Sequence, residues 1–232
     1  MPRVALTFDD GPGPVTGRVL DLLRAARARA TFFLLGRNIE EAPWCGGDRA
    51  RACALVRRVL EEGHVAGNHT YSHVRPEDWR RLADDLRRND DVIRACRREA
   101  GLPADAPIPV RLPYGVKIVS ETVPAATGTL AAGVLDPRLA VLASLGRTHV
   151  HWTSDFDDWT LAAEAGPDLA ARMLAHVERA AALGLDAVLD LHDSGTGSSW
   201  GYDRPATAAA LERFLPEIAR RGIETFTVPA GA

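Results

Sequence analysis

Segments typical of β-strands alternate with amphipathic, helix-like segments along all 232 residues. This alternation is the pattern of a parallel sheet whose strands are joined by helical crossovers. No repeat of fixed period and no linker interrupts it, so we expect an α/β fold in a single domain, residues 1–232, closed as a distorted (β/α) barrel. Predicted strands lie in residues 3–8, 30–36, 148–155, 186–193 and 223–228; residues 64–73 are predicted as a short strand and loop, and 108–115 as a strand and then a turn. Predicted helices lie in 15–28, 49–63, 75–101, 167–184 and 204–222.

Composition excludes several classes of function. Apolar residues make up 46%, charged residues 25%, and the net charge is -3, which is typical of an ordinary globular protein without a basic surface for nucleic acid. The sequence contains neither a membrane-spanning apolar run nor a signal peptide, so we expect a cytoplasmic protein without a membrane partner.

Three cysteines are too few for a disulfide framework. We expect free thiols, with a Cys45–Cys53 bridge as the alternative.

Polar side chains follow several of the predicted strands. In parallel barrels, the loops after the strands meet at one rim and carry the chemistry. We therefore expect these side chains to lie together. The pairs are Asp9 and Asp10, His69 and His73, Arg111 and Tyr114, Asp155 and Asp158, and His192 and Asp193.

Two of these clusters predict a metal centre. His69 and His73 are four residues apart, and two neutral imidazoles with one carboxylate leave coordination positions open for water and substrate. Asp10 would be the third ligand, and Asp9 would then be free to accept a proton from an activated water. The alternatives are a chance histidine pair and a turn in which the aspartates cap backbone amides.

Five motifs occur in an order that resembles a known family: TFDDGP, HTYSH, RLPYG, WTSDFDDW and LHD. Together they are similar to the motifs of the NodB-homology polysaccharide deacetylases, carbohydrate esterase family 4. The resemblance spans the chain from Thr7 to the last predicted strand. It implies a distorted (β/α) barrel that binds one divalent ion, Zn²⁺ first and Co²⁺ or Ni²⁺ as alternatives, through Asp10, His69 and His73.

The resemblance also implies roles for the remaining motif residues. Asp9 would be the general base, and Arg111 would keep it ionised and oriented. His192 would be the general acid, paired with Asp158, and the backbone N–H of Tyr114 would stabilise the oxyanion. The predicted substrate-binding residues are Trp159, Tyr114, Asp190 and Leu191.

Two features depart from the family pattern. Asp190 occupies a position where the family usually has a leucine that contacts the acetyl methyl group, and alternation along the strand directs it to the same side as His192. Either the acyl pocket is unusually polar and accepts a group other than acetyl, or an arginine or backbone amides hold Asp190. In addition, residues 121–137 form an extra segment that we expect to overhang the groove and favour a small molecule or a chain end.

The sequence therefore predicts a metal-dependent amide hydrolase that removes an N-acyl group from an amino sugar, oligosaccharide or related small molecule. Acetyl is the acyl group that we expect ahead of others. Same-fold alternatives are hydrolysis of a non-sugar amide, a cyclic imide or an O-ester. A catalytically silent carbohydrate-binding protein is the alternative from another class, but such a protein is expected to have lost Asp9 or His192, and both are present. The sequence predicts no oligomeric state.

Overall fold

The structure is a computed structural model that describes residues 2–116, 136–197 and 201–229. Within these ranges, strands alternate with helices, as the sequence predicts. The strands are β1 (Arg3–Asp9), β2 (Thr31–Leu34), β3 (Val65–Asn68), β4 (Ser154–Asp155), β5 (Ala187–His192) and β6 (Glu224–Phe226). The helices are α1 (Thr16–Ala25), α2 (Gly36–Glu40), α3 (Arg49–Glu61), α4 (Leu82–Glu99), α5 (Pro137–Ser144), α6 (Gly166–Ala182) and α7 (Pro205–Arg220). Four 3₁₀ helices lie at Pro43–Cys45, Pro76–Arg81, Asp158–Thr160 and Ala163–Ala165.

All strand pairs described are parallel, in the order β3-β2-β1-β5-β4, with β6 pairing the first half of β1. Isolated bridges join Asn68 to Val110 and Val110 to His149, beyond the named strands. The predicted α/β fold with a parallel sheet is therefore confirmed. Full closure of the barrel stays a prediction, because the ladders of the described residues end at β3 and β4.

Two predicted strands are much shorter than the sequence pattern indicates. Within residues 108–115 only Val110 makes bridges, and within 148–155 only His149 and the two residues of β4 pair. Pro109 and Pro113 lack the N–H that a ladder requires, so a regular strand cannot run through this part of the chain. Hydrogen bonds from side chains, described below, hold residues 108–115 in place instead.

The two sides of the sheet have different contents. Val4, Leu6 and Phe8 of β1 belong to a large buried cluster that includes helix residues such as Leu20 and Leu211. On the opposite side, a small apolar cluster of Ala5, Phe33 and Val228 lies below polar side chains. Helix α4 turns several polar residues inward; Asp85, Asn89, Asp90 and Arg97 are buried.

The three cysteines are free thiols, as expected, and the alternative Cys45–Cys53 bridge is absent. Within the described residues, the helices lack the combination of length and apolar character needed to cross a membrane.

Candidate active site

Polar side chains converge where the parallel strands end. Asp9 is the last residue of β1 and His192 the last of β5, and these two residues are Cα partners in the β1–β5 ladder. Asp10 follows β1 directly, and His69 follows β3. The topology therefore brings together residues from opposite ends of the chain at the carboxyl ends of the strands, which is the edge that the sequence predicts.

Asp10, His69 and His73 form a group that could hold a metal ion. One ligand atom from each lies within 4.8 Å of the others. Asp10 Oδ1 lies 3.5 Å from His69 Nε2 and 3.4 Å from His73 Nε2, and this buried oxygen has no hydrogen-bond partner in the structure. A buried carboxylate oxygen without a partner is costly, and a cation between these atoms removes that cost.

The protonation of the histidines also suits a cation. Burial, reinforced by the neighbouring His73, holds the pKa of His69 well below its usual range, and burial lowers the pKa of His73. Nδ1 of His69 lies 2.9 Å from the carbonyl oxygen of Arg111. Because a carbonyl only accepts, Nδ1 carries the hydrogen and Nε2 keeps a lone pair on the side of Asp10. The residues present therefore fit a divalent cation.

The turn that carries both histidines is held by α4. Asp85 accepts hydrogen bonds from the backbone N–H of Tyr71 at 2.7 Å and of Ser72 at 2.9 Å, and from the Ser72 hydroxyl at 2.8 Å. Asn89 is fully buried and donates to the carbonyl oxygens of Leu34 and Thr70, both at 2.8 Å. These supporting residues were missed by the sequence analysis. The available signal was their spacing of four residues, which aligns them on one side of the helix.

Arg111 joins two carboxylates in the interior. This guanidinium is fully buried, and its Nη1 donates to Asp9 Oδ1 and Asp190 Oδ1, both at 3.0 Å, and to Thr7 Oγ1 at 2.6 Å. Burial raises the pKa of the Asp9 carboxyl, although the positive charge of Arg111 opposes that shift. Burial and the nearby Asp9 raise the pKa of Asp190 well above its usual range. Asp190 is thus held by an arginine, as the second interpretation of this residue describes.

His192 and Asp158 form a buried ion pair. Asp158 Oδ1 lies 2.8 Å from His192 Nδ1, while Asp158 Oδ2 accepts the backbone N–H of His192 at 2.8 Å and the Thr207 hydroxyl at 2.5 Å. Burial lowers the pKa of His192, but the adjacent Asp158 carboxylate outweighs it and raises that pKa well above its usual range. The ion pair with Asp158 therefore favours the protonated form of His192.

The remaining predicted site residues differ in placement. The Tyr114 ring centroid lies 4.6 Å from that of His73, and the side chain is 55% exposed. Trp159 is half-buried beside Asp158 in the 3₁₀ helix. Leu191, in contrast, is fully buried in the helix-facing cluster, because alternation along β5 turns it away from the side of His192. This placement does not support the substrate-binding prediction for Leu191. The predicted overhanging segment, residues 121–137, lies outside the described residues except for Asp136 and Pro137.

Several site residues have backbone conformations that non-glycine residues rarely adopt. Asp10, His73 and Tyr114 have φ values of 70°, 59° and 63°. Such conformations persist only where surrounding contacts over-determine them, and they concentrate at functional sites.

The family model for polysaccharide deacetylases matches residues 1–128 of the chain. The chain belongs to the polysaccharide deacetylase family. It is 34% identical over 236 residues to a chitooligosaccharide deacetylase of Bradyrhizobium, covering 97% of this chain and 89% of that protein. It is also 32% identical over 228 residues to a peptidoglycan-N-acetylglucosamine deacetylase of Bacillus cereus, covering 97% of this chain and 85% of that one.

This deacetylase also shares its fold with solved structures of the family. The crystal structure of a polysaccharide deacetylase from Bacillus cereus superposes with a TM-score of 0.67 at 24% identity, covering 99% of this chain and 93% of that one. The resemblance inferred from the five motifs is thus confirmed. The deacetylase is a carbohydrate esterase family 4 hydrolase of carbon–nitrogen bonds in linear amides, and the family is in general metal-dependent.

We expect Asp85→Ala to weaken divalent metal binding by the deacetylase about 10- to 100-fold, because the turn that presents His69 and His73 loses three hydrogen bonds. The dissociation constant for Zn²⁺, measured by competition with a chromophoric chelator, is the readout. Asp84→Ala is the matched control, since the Asp84 side chain is 90% exposed and pairs with Arg87. Equal affinities of the two variants would contradict the supporting role of Asp85.

Proposed function

We propose that the chain removes the N-acetyl group of an amino sugar, an oligosaccharide or a related small molecule. The observation that carries this proposal is the facing pair of Asp9 and His192, which are neighbours in the β1–β5 ladder. One is a carboxylate and the other a protonated imidazole, beside the ligand set of Asp10, His69 and His73. Amide hydrolysis requires a base for the attacking water and an acid for the leaving amine, and this arrangement offers one of each.

Two imidazole nitrogens and one carboxylate oxygen are typical of a catalytic zinc site that leaves coordination positions open, so Zn²⁺ is the proposed ion, ahead of Co²⁺ or Ni²⁺. When bound, the ion would supply Lewis acidity that lowers the pKa of a water molecule and polarises the amide carbonyl.

The residues of this chain would then divide the proton transfers. Asp9, ionised and oriented by Arg111, accepts a proton from the attacking water as the C–O bond forms. The backbone N–H of Tyr114 donates to the developing oxyanion. His192 has Nδ1 bonded to Asp158, so Nε2 delivers the proton to the departing nitrogen as the C–N bond breaks. The products are a free amine and a carboxylate, and water is the only co-reactant.

The test is amine release by the zinc-loaded protein from N-acetyl amino sugars, chitooligosaccharides, other N-acyl amides, O-acetyl esters and cyclic imides. We expect turnover of N-acetyl sugars that falls at least about 100-fold in Asp9→Asn, which removes the base and keeps the shape. Turnover confined to cyclic imides or esters would replace the proposed substrate. Binding of oligosaccharide without hydrolysis of any member of the panel would favour the silent binding protein.

The pairing of His192 with Asp158 predicts a pH dependence. Activity needs protonated His192, and the raised pKa keeps it protonated until the pH passes that value, so the unmodified protein should stay active into the alkaline range. In Asp158→Asn the largest influence that raises the pKa of His192 is gone, and only the charges of Asp190 and Asp10 still oppose burial. We therefore expect the alkaline limb of kcat/KM to move to lower pH, with roughly a 100-fold lower maximum. Asp157→Asn, at an exposed neighbour, is the control. An unshifted limb in Asp158→Asn would exclude His192 as the acid.

Asp190 gives the acyl side of the site a polar character, which favours acyl groups that carry a hydroxyl. Its oxygen lies within 4.8 Å of ligand atoms of both Asp9 and His192, close to where the acyl group would react. We expect Asp190→Leu to raise the ratio of kcat/KM for N-acetyl- over N-glycolylglucosamine about five- to tenfold, the worth of one hydrogen bond.

Asp190→Asn keeps a polar group of the same shape and should change the ratio much less, which makes it the matched control. A ratio that stays constant in Asp190→Leu would mean that Arg111 holds Asp190 without influence on the acyl group.

A further inference from the structure

A second buried arginine lies outside the cluster of charged residues described above. Arg138, in the first turn of α5, is 2% exposed, so its charge has to be fully partnered. Its Nε donates to Asp136 Oδ1 at 3.0 Å and its Nη2 to Asp136 Oδ2 at 2.6 Å, while Asp136 also accepts the backbone N–H of Arg138 at 2.9 Å. Asp136 thus fixes the plane of the guanidinium and leaves the Nη1 group and the second N–H of Nη2 directed elsewhere.

Those two groups bind the carbonyls on either side of Tyr114. Arg138 Nη1 donates to the Pro113 carbonyl at 2.7 Å, and Nη2 donates to the Gly115 carbonyl at 2.5 Å. The Pro113 carbonyl belongs to the same peptide unit as the Tyr114 N–H. That unit is planar and trans, so its N–H points opposite to its C=O. By fixing the carbonyl, Arg138 fixes the direction of the Tyr114 N–H, away from the guanidinium.

The charge of Arg138 acts on the same peptide unit. A cation at the carbonyl oxygen draws electron density toward that oxygen and makes the N–H at the other end a stronger donor. The backbone of Tyr114 also needs external support, because its φ of 63° is unfavourable for a residue with a side chain. On the far side, Gly115 approaches Trp152 so closely that a Cβ would lie 2.7 Å from the indole.

We propose that Arg138 is a positioning residue that aims and polarises the Tyr114 N–H toward the oxyanion of the reaction. This inference rests on the proposed function, since it assigns the oxyanion donor its support. Among the residues that the structure describes, the hydrogen bonds of Arg138 go to Asp136, Pro113 and Gly115, which belong neither to the ligand set nor to the Asp9 site. Its influence on the reaction therefore passes through one peptide unit.

Arg97 supplies a matched control for the experiment. It is likewise buried, at 6% exposure, and its guanidinium donates to two successive carbonyls, those of Ala106 and Pro107, in the segment that leads to Val110. Arg97 and Arg138 thus bind the two ends of one connecting segment, but only Arg138 binds the end that contains Tyr114. Arg97→Gln and Arg138→Gln both remove a buried arginine from two carbonyls, so both should lower Tm.

The experiment compares these variants as zinc-loaded proteins. We expect Arg138→Gln to lower kcat for the N-acetyl sugar about 10- to 100-fold with KM and Zn²⁺ affinity within about twofold, because a misdirected donor is lost only in the transition state. Arg97→Gln should keep kcat. Arg138→Lys retains the positive charge but lacks the planar guanidinium, so its kcat should lie between those of the unmodified protein and Arg138→Gln. If Arg138→Gln does not fold, Arg138→Lys takes its place in the comparison. Equal kcat in Arg138→Gln and Arg97→Gln would overturn the proposal, as would a loss confined to KM.

A second readout does not depend on turnover. The chain has three tyrosines, so ¹⁵N-tyrosine labelling gives three backbone amide signals, with Tyr71 and Tyr202 as internal references. In Arg138→Gln the Tyr114 amide proton should shift upfield while the references stay in place. An unshifted Tyr114 signal would overturn the positioning role even if activity fell. If the unmodified protein hydrolyses no N-acyl sugar, the proposed function fails, and the Tyr114 signal alone decides whether Arg138 orients this peptide unit.

Discussion

A fully buried guanidinium is the constraint on which the interior depends. Arg111 lies between the carboxylates of Asp9 and Asp190 and above the Phe33 ring, 4.3 Å from its centroid, while its own carbonyl oxygen orients His69. In a poorly solvated interior, two carboxylates without this cation would be strongly destabilising, and the cation without them would be equally so. The side chain of Arg111 thus balances charge in the interior, and its backbone carbonyl orients a residue of the proposed ligand set.

Polar residues on helices supply much of the support of the site. Asp85 and Asn89 on α4 hold the histidine turn, Asp158 beside β4 holds His192, and Arg138 on α5 holds the peptide units around Tyr114. Each of these supports binds backbone groups in conformations that would otherwise relax, because irregular loops have no ladder to satisfy their N–H and C=O groups. The helices therefore give the rim loops the precision that strands alone cannot supply.

The sequence predicted the architecture and the identity of the clustered residues because strand–helix alternation and ordered motifs are local patterns. It predicted less about the residues that hold the site residues in position. Asp85 and Asn89 of α4 face inward. Their role could not be predicted, because polar residues that face buried loop amides carry no apolar signal in the sequence. Arg138 follows a stretch without a recognisable motif. The placement of Leu191 could have been predicted, because the alternation that directs Asp190 to the side of His192 directs Leu191 to the helices.

The β1–β5 register has a consequence for the chain during its synthesis. Asp10, His69, His73, Asp9 and Arg111 all lie within the first 128 residues, the part that matches the family model, whereas Asp158 and His192 belong to the last third. A nascent chain thus contains every proposed ligand for the ion long before it contains the proposed proton donor for the leaving group. Because β5 inserts beside β1 only when the later part of the chain folds, hydrolysis reports on the finished protein, whereas the ability to chelate metal does not.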